Sequence, residues 1–280
     1  MELGLNGKRA LVLGASRGLG MEIAKGLARE GATVFAAARN GDAIREWAAK
    51  LDGADVMPIT LDLSDIYAID AALAALMKDG GVDILINNAG GPPPGTAAAA
   101  ERPDWIKHFE TMAANLFHVT TTLLPKMRER GWGRIITIAS SGVEQPIPNL
   151  ALSNGVRAAV VGWSKTLATE VAGDGVTVNV VLPGRIHTAR VDELDAAAAK
   201  RTQKDVNDVA IASAASIPAG RYGKPEEFAD VVTFLASERA SYVTGSRVRI
   251  DGGSIRSIGG AVRAQGSDLV HELTAVVSAS

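Results

Sequence analysis

The first stretch whose residue types and spacing could do chemistry is Gly14-Ala15-Ser16-Arg17-Gly18-Leu19-Gly20. It follows a short apolar run, Ala10-Leu11-Val12-Leu13, and precedes a segment of helical period that opens at Met21. Glycines at a strand-to-helix turn let the main chain approach a pyrophosphate, and the first N–H groups of the helix then point at it. Gly14, Ser16, Gly18, Leu19 and Gly20 are the candidate phosphate-cradling positions. A tight turn that binds nothing is the competing reading, and the flanking strand and helix favour the nucleotide. The end of the second strand discriminates between dinucleotides, since NAD calls for Asp or Glu there and NADP for Arg. Here the run is Ala36-Ala37-Ala38-Arg39-Asn40, with no carboxylate before Asp42. Arg17 adds a second guanidinium, and two planar forks suit a 2′-phosphate. NADP(H) is expected over NAD(H); the alternative is that either arginine is only a solvated surface residue.

The elements that must position these residues alternate along the chain. Apolar runs at residues 10–13, 33–35, 56–59, 84–86, 134–138, 176–181 and 243–250 (broken at Gly245) lack strict alternation, as strands covered on both faces do. Between them, residues 21–30, 43–51, 66–78, 105–130, 156–172 and 226–237 carry apolar residues three and four apart. Repeated strand–helix units predict an α/β doubly wound parallel sheet of about seven strands, Rossmann-type, with helices on both faces. A single domain is expected over residues 1–254. The Ala-rich, charge-mixed stretch 189–219 reads as an irregular lid, and 255–280 as a tail with a short helix around 268–277.

Composition narrows the function. The 280 residues carry a net charge of -2 and no Cys. That excludes disulfides, thiolate metal sites and a cysteine nucleophile, and no metal site of another kind is expected. No basic stripe marks a nucleic-acid partner or an anionic membrane. No apolar run approaches the ~18 residues that span a bilayer, and no signal pattern opens the chain. A cytoplasmic protein with a small-molecule substrate is expected.

Further motifs carry a family resemblance over roughly residues 5–253. They are the glycine turn, Leu61-Asp62-Leu63, Asn87-Asn88-Ala89-Gly90, Asn115, Pro183-Gly184 with Ile186 and Thr188, Arg221 to Glu227, Tyr242 to Gly245 and Asp251-Gly252-Gly253. Together and in this order they resemble the short-chain dehydrogenase/reductase family. The stretch Gly133–Ser140 looks most like that of 3-oxoacyl-[acyl-carrier-protein] reductases. The resemblance implies an adenine contact at Asp62 and Leu63, cofactor contacts at Asn88, Ala89 and Gly90, and nicotinamide contacts at Pro183, Gly184, Ile186 and Thr188. It also implies a water-positioning role for Asn115, a catalytic serine at Ser140, and a homotetramer or dimer packed through residues 105–130 and 156–172.

The resemblance breaks at its centre. The family pairs its serine with Tyr and Lys spaced Y-x-x-x-K; thirteen residues past Ser140 stands Ser153, and four further stands Arg157. The flanking residues 158–165 match without a gap, and the three tyrosines, Tyr67, Tyr222 and Tyr242, lie elsewhere. Spacing i to i+4 puts Ser153 and Arg157 on one helix face. A serine hydroxyl is a far weaker acid than a phenol of pKa ~10, and Arg keeps its proton below ~12, so neither is a direct general acid at neutral pH. Arg157 offers fixed charge to a ribose, which makes it a cofactor contact too, or to a developing oxyanion. General acid help is worth about 10²–10⁴ in rate, whereas orientation is worth roughly 7–11 kcal/mol, so the loss need not abolish hydride transfer but slows it unless another proton route exists or the substrate needs little proton assistance. Hydride addition to an activated C=C gives an enolate that a permanent cation stabilises, so a conjugated enone or enoyl thioester suits Arg157 better than an isolated ketone. His187 is the candidate substitute proton donor, against a solvent-facing loop histidine. Glu144, four past Ser140 in an expected substrate loop, is a weaker donor candidate against a surface carboxylate; His108 and His118 read as packed helix residues, and Ser153 alternatively as a helix cap. An NADP(H)-binding sensor or structural protein without catalysis is the second functional reading.

Overall fold

Runs of Val, Ile, Leu and Ala without alternation must be covered on both faces. In the computed structural model, which describes residues 2–256, they are the strands of one parallel sheet. The strands are β1 (Arg9–Leu13), β2 (Thr33–Ala38), β3 (Val56–Thr60), β4 (Ile84–Asn87), β5 (Gly133–Ile138), β6 (Val176–Pro183) and β7 (Arg247–Ile250). Their order is β3-β2-β1-β4-β5-β6-β7, every neighbouring pair parallel. The helices are α1 (Gly18–Arg29), α2 (Gly41–Ala48), α3 (Ile66–Lys78), α4 (Arg102–Phe109), α5 (Asn115–Glu129), α6 (Ala151–Val171), α7 (Ala189–Thr202), α8 (Val206–Ala215) and α9 (Pro225–Leu235). Ile23 and Leu27 of α1, Ile44 and Trp47 of α2, and Phe228 and Val232 of α9 fill one face of the sheet. Ile69 and Leu73 of α3, Leu116 and Leu123 of α5, and Leu167 of α6 fill the other. The doubly wound reading therefore holds. Strand order reverses between β1 and β4, so the crevice for a ligand opens at the carboxyl ends of those strands.

Three expectations are corrected. Residues 105–130 are helical but not regular: a π turn, Glu110–Ala114, interrupts the α-helical pitch between α4 and α5, and Asn115 directly follows it. Hydrophobic period is blind to a one-residue widening of a turn, and such widenings gather at functional sites. Residues 189–219 are not irregular: they form α7 and α8, parted by Gln203 in the left-handed region at φ 54°. The described residues of α8 include none that is buried, so it has no apolar stripe to betray it. Residues 243–246 are a turn, not strand; Gly245 has φ +66° and its N–H donates to the Val178 carbonyl. The expected tail helix lies outside the described residues. Among the described residues no helix is long and apolar enough to cross a membrane.

Candidate active site

The glycine turn sits at the mouth of the crevice, built so that side chains cannot enter it. Gly14 has φ +64°, and a Cβ there would stand 2.7 Å from the Asn88 amide and carbonyl. At Gly20 a Cβ would run into the Gly14 carbonyl oxygen. Gly18 has φ +59° and faces the Thr188 methyl, so the β6–α7 segment already lies against the turn. Asn88 ties the end of β4 to this turn by donating to the carbonyls of Leu13 (3.2 Å) and Gly14 (3.3 Å). Trp47 Nε1 holds it from the other side through the Ala15 carbonyl at 3.1 Å.

The electrostatics suit a phosphate. No acidic residue occupies the first turn of α1, whose free N–H groups carry the positive end of the helix dipole. Arg17, at its N-cap, is 73% exposed and its guanidinium stands 3.6 Å from Glu193 of α7. Arg39 is exposed at the end of β2. Asp42, the nearest carboxylate along the chain, is already engaged by Arg45 at 2.8 Å. Asp62 accepts from the Ser64 N–H (2.9 Å) and hydroxyl (2.8 Å), which together with the nearby Arg39 charge hold its carboxyl below the usual range. Arg39 thus acts on Asp62 only through its nearby charge, and Arg17 turns toward Glu193.

At the chemical centre, Arg157 is half-buried and gathers three elements. Its Nε donates to the Ser153 hydroxyl at 3.3 Å, Nη1 to the Ile138 carbonyl at 2.7 Å, and Nη2 to the Ala89 carbonyl at 3.3 Å. None of these acceptors is a carboxylate. Burial, and then the neighbouring Arg190 charge, push the guanidinium down to about 10. Ser153 is buried in the first turn of α6, whose N-cap is Leu150, so the capping reading is corrected. Ser140 follows β5 by two residues, and its hydroxyl accepts from the Gly142 N–H at 3.1 Å. Asn115 is 6% exposed and donates to the Leu63 carbonyl at 2.8 Å, fixing the Asp62–Leu63 segment against the π turn. Gly90 is exposed beside them; Pro183 ends β6, and the Gly184 N–H donates to the Ile250 carbonyl at 2.9 Å. Ile186 is buried, and Thr188 bonds its carbonyl at 3.3 Å.

Other candidates fare differently. His187 is 69% exposed with its ring 3.6 Å from the Asp192 carboxylate of α7, a solvent-facing residue rather than a proton donor aimed inward. Tyr222 gives its hydroxyl to Asp195 at 2.8 Å, and Tyr67 and Tyr242 are exposed. Glu144 is no surface carboxylate: its side chain is 8% exposed, paired with Arg247 and Arg249 of β7. His118 is not packed but pairs with Asp70 of α3 at 2.6 Å, and His108 is half-buried on α4. Arg190 escaped the sequence reading. It donates to the Pro92 carbonyl at 2.8 Å and to Glu193 at 3.2 Å. Its position in a stretch without period hid it.

Comparison with known proteins agrees with this arrangement. Residues 14–254 match the family model described as Enoyl-(Acyl carrier protein) reductase. The chain is 36% identical over 254 residues to the 3-oxoacyl-[acyl-carrier-protein] reductase FabG of Vibrio cholerae, covering 90% of this chain and 98% of that one. The L-sorbose reductase of Gluconobacter frateurii, solved with NADPH and L-sorbose, superposes with a TM-score of 0.86 at 35% identity, covering 92% and 100% of the two chains. YwfH, an NADPH-dependent reductase involved in bacilysin biosynthesis, superposes with a TM-score of 0.85 at 31% identity, covering 90% and 100%. With the glycine turn, the sheet order and relatives spanning nearly the whole chain in agreement, the protein belongs to the short-chain dehydrogenase/reductase family.

Proposed function

We propose that this protein is an NADP(H)-dependent oxidoreductase that reduces a carbonyl or a conjugated C=C, with Ser140, Ser153, Arg157 and Asn115 in place of the usual tyrosine-centred set. One observation carries the reading: a half-buried guanidinium bonded only to a hydroxyl and two main-chain carbonyls, without a carboxylate to neutralise it. Burying a charge unpaired is costly, and its retention is explained if negative charge develops beside it during turnover.

The residues present fit the dinucleotide. Gly14, Ser16, Gly18, Leu19 and Gly20 would take the pyrophosphate, Arg17 and Arg39 the 2′-phosphate, Asp62 and Leu63 the adenine, and Asn88, Ala89, Gly90, Pro183, Gly184, Ile186 and Thr188 the nicotinamide half. The reduced nicotinamide, when bound, supplies the hydride. Arg157 keeps its proton at neutral pH and stabilises substrate oxygen as it gains charge. Ser140 and Ser153 supply hydroxyls to that oxygen. Neither donates a proton outright, so an enolate, which is stable enough to wait for one from water, suits the site better than an alkoxide. Asn115 orders the approach of that water. Residues 1–254 act as one catalytic domain, with 189–219 over the substrate, in a homodimer or homotetramer packed through α5 and α6.

The test is NADPH consumption over paired substrates, a conjugated enone or enoyl thioester against the matching isolated ketone. Faster turnover of the conjugated member is expected. Ordinary rates on ketones with none on enones overturn the enolate reading, and NADPH binding without consumption of any substrate favours a non-catalytic nucleotide binder.

A further inference from the structure

Gly91 follows Gly90 and is exposed. A Cβ built on it would stand 3.7 Å from Arg190 Nη2 and 4.0 Å from Arg157 Nη2. Apart from its chain neighbours, no other atom of the described residues would come within 4 Å of it. Two guanidiniums from different helices, α7 and α6, thus border one open space beside the main chain. Like charges this close repel, and after burial it is the Arg190 charge that lowers the Arg157 guanidinium. Arg157 bonds only neutral acceptors. Arg190 does have a carboxylate, Glu193 at 3.2 Å, but Glu193 also stands 3.6 Å from Arg17, so one charge is divided between two cations. A guanidinium carries five N–H donors, and the bonds to Glu193 and the Pro92 carbonyl leave most of those on Arg190 unused. Its side chain is 40% exposed, open to a ligand entering beside Gly91.

We propose that Arg190 determines specificity: the substrate is a small organic acid whose free carboxylate bonds Arg190 while its reducible carbonyl or conjugated C=C lies against Arg157. The inference rests on the oxidoreductase reading and names a substrate class for it. A carboxylate matches the planar fork of a guanidinium and can take two of its donors at once. Seated there, it relieves the repulsion between the two cations and leaves the Arg157 charge for the oxygen that gains charge. An ester of the same acid has the same reducible group but no anion, so the pair discriminates against it.

NADPH consumption with 4-oxopent-2-enoate and with 3-oxobutanoate, each against its methyl ester, tests the class. Calorimetric titration of the full chain in excess NADP+ with glutarate, which cannot be reduced, tests the carboxylate contact without turnover. The acids should show kcat/KM about tenfold or more above their esters, the size of a charge-assisted contact. Arg190→Met should lower that acid-to-ester ratio about tenfold, through KM more than kcat, and weaken glutarate by a similar factor. Arg190→Lys, which keeps the charge without the fork, should recover part of both. Glutarate binding that Arg190→Met weakens, with no substrate consumed, refutes the reductase reading and leaves the carboxylate contact standing. Esters reduced as well as acids, with the ratio unmoved in Arg190→Met, refute the carboxylate contact and leave the reductase reading standing. Glutarate binding that is absent, or indifferent to Arg190→Met, also overturns the proposal.

Discussion

Replacing Arg157 with Met keeps most of the side chain's length and removes its charge. In the structure that charge is carried by a half-buried group whose hydrogen bonds go to Ser153, Ile138 and Ala89. A unit negative charge developing about 4 Å away at an effective dielectric near 20 is stabilised by roughly 4 kcal/mol. That corresponds to a factor of about 10³ in rate. Steady-state NADPH oxidation should therefore show kcat in Arg157→Met lower by about 10³, while the NADPH dissociation constant, read by fluorescence, rises less than about tenfold. The pH profile gives an independent check. Because the guanidinium is lowered to about 10, the charged form that the reaction needs is retained at neutral pH and lost as pH rises through that value. In Arg157→Lys the same burial acts on an ammonium whose ordinary pKa is only ~10.4, so the alkaline decline should move toward neutrality. A kcat for Arg157→Met within about threefold of the parent refutes the electrostatic role. So does an alkaline limb at the same pH in the Lys variant.

Other expectations are independent of that one. Arg39→Ala should weaken NADPH about 10–100-fold while leaving NADH nearly unchanged, since one charge-assisted contact to the 2′-phosphate is lost; equal loss for both nucleotides contradicts the assigned preference. Gly20→Ala drives a methyl into the Gly14 carbonyl and should abolish nucleotide binding or folding, whereas Gly162→Ala, with nothing within 4 Å, should stabilise α6 by about 0.5–1 kcal/mol in urea unfolding. Glu227 bonds Arg221 and the Lys224 N–H at the start of α9, which lowers its carboxyl to about 2. Its contribution is complete above the ordinary carboxylate pKa and is lost as pH falls through about 2, so the stability gap between parent and Glu227→Gln should close across that window and nowhere else.

The fold was legible because burial on both faces leaves a strong signature. Leu11 and Ile86 sit in unbroken apolar runs that only a covered sheet accommodates, and the glycine turn advertises the crevice beside them. The π turn before Asn115 was not legible, since its residues keep the same apolar spacing to within one position. Nor was α8, where exposed Ala-rich sequence carries helix propensity without an amphipathic stripe. The candidate cofactor residues follow from motif spacing, yet the surroundings of Arg17 and Arg39 do not. Glu193 reaches Arg17 from α7, and Arg39 acts on Asp62 from the end of another strand.

Glu144 shows why such partners escape a linear reading. A carboxylate in a loop is solvated unless something distant desolvates it, and here the agents are Arg247 and Arg249, about a hundred residues away in sequence but on the neighbouring strand edge. Arg157 is the opposite case: its place in a helix was plain, but only the structure reveals that no carboxylate follows it inside. Glu144, paired with Arg247 and Arg249 of β7, holds opposite charges together and fixes a loop. An unpaired cation at the carboxyl ends of β4 and β5 does neither, and its cost is sustained in every unliganded molecule. That asymmetry separates the structural use of charge in this protein from the chemical one proposed for Arg157.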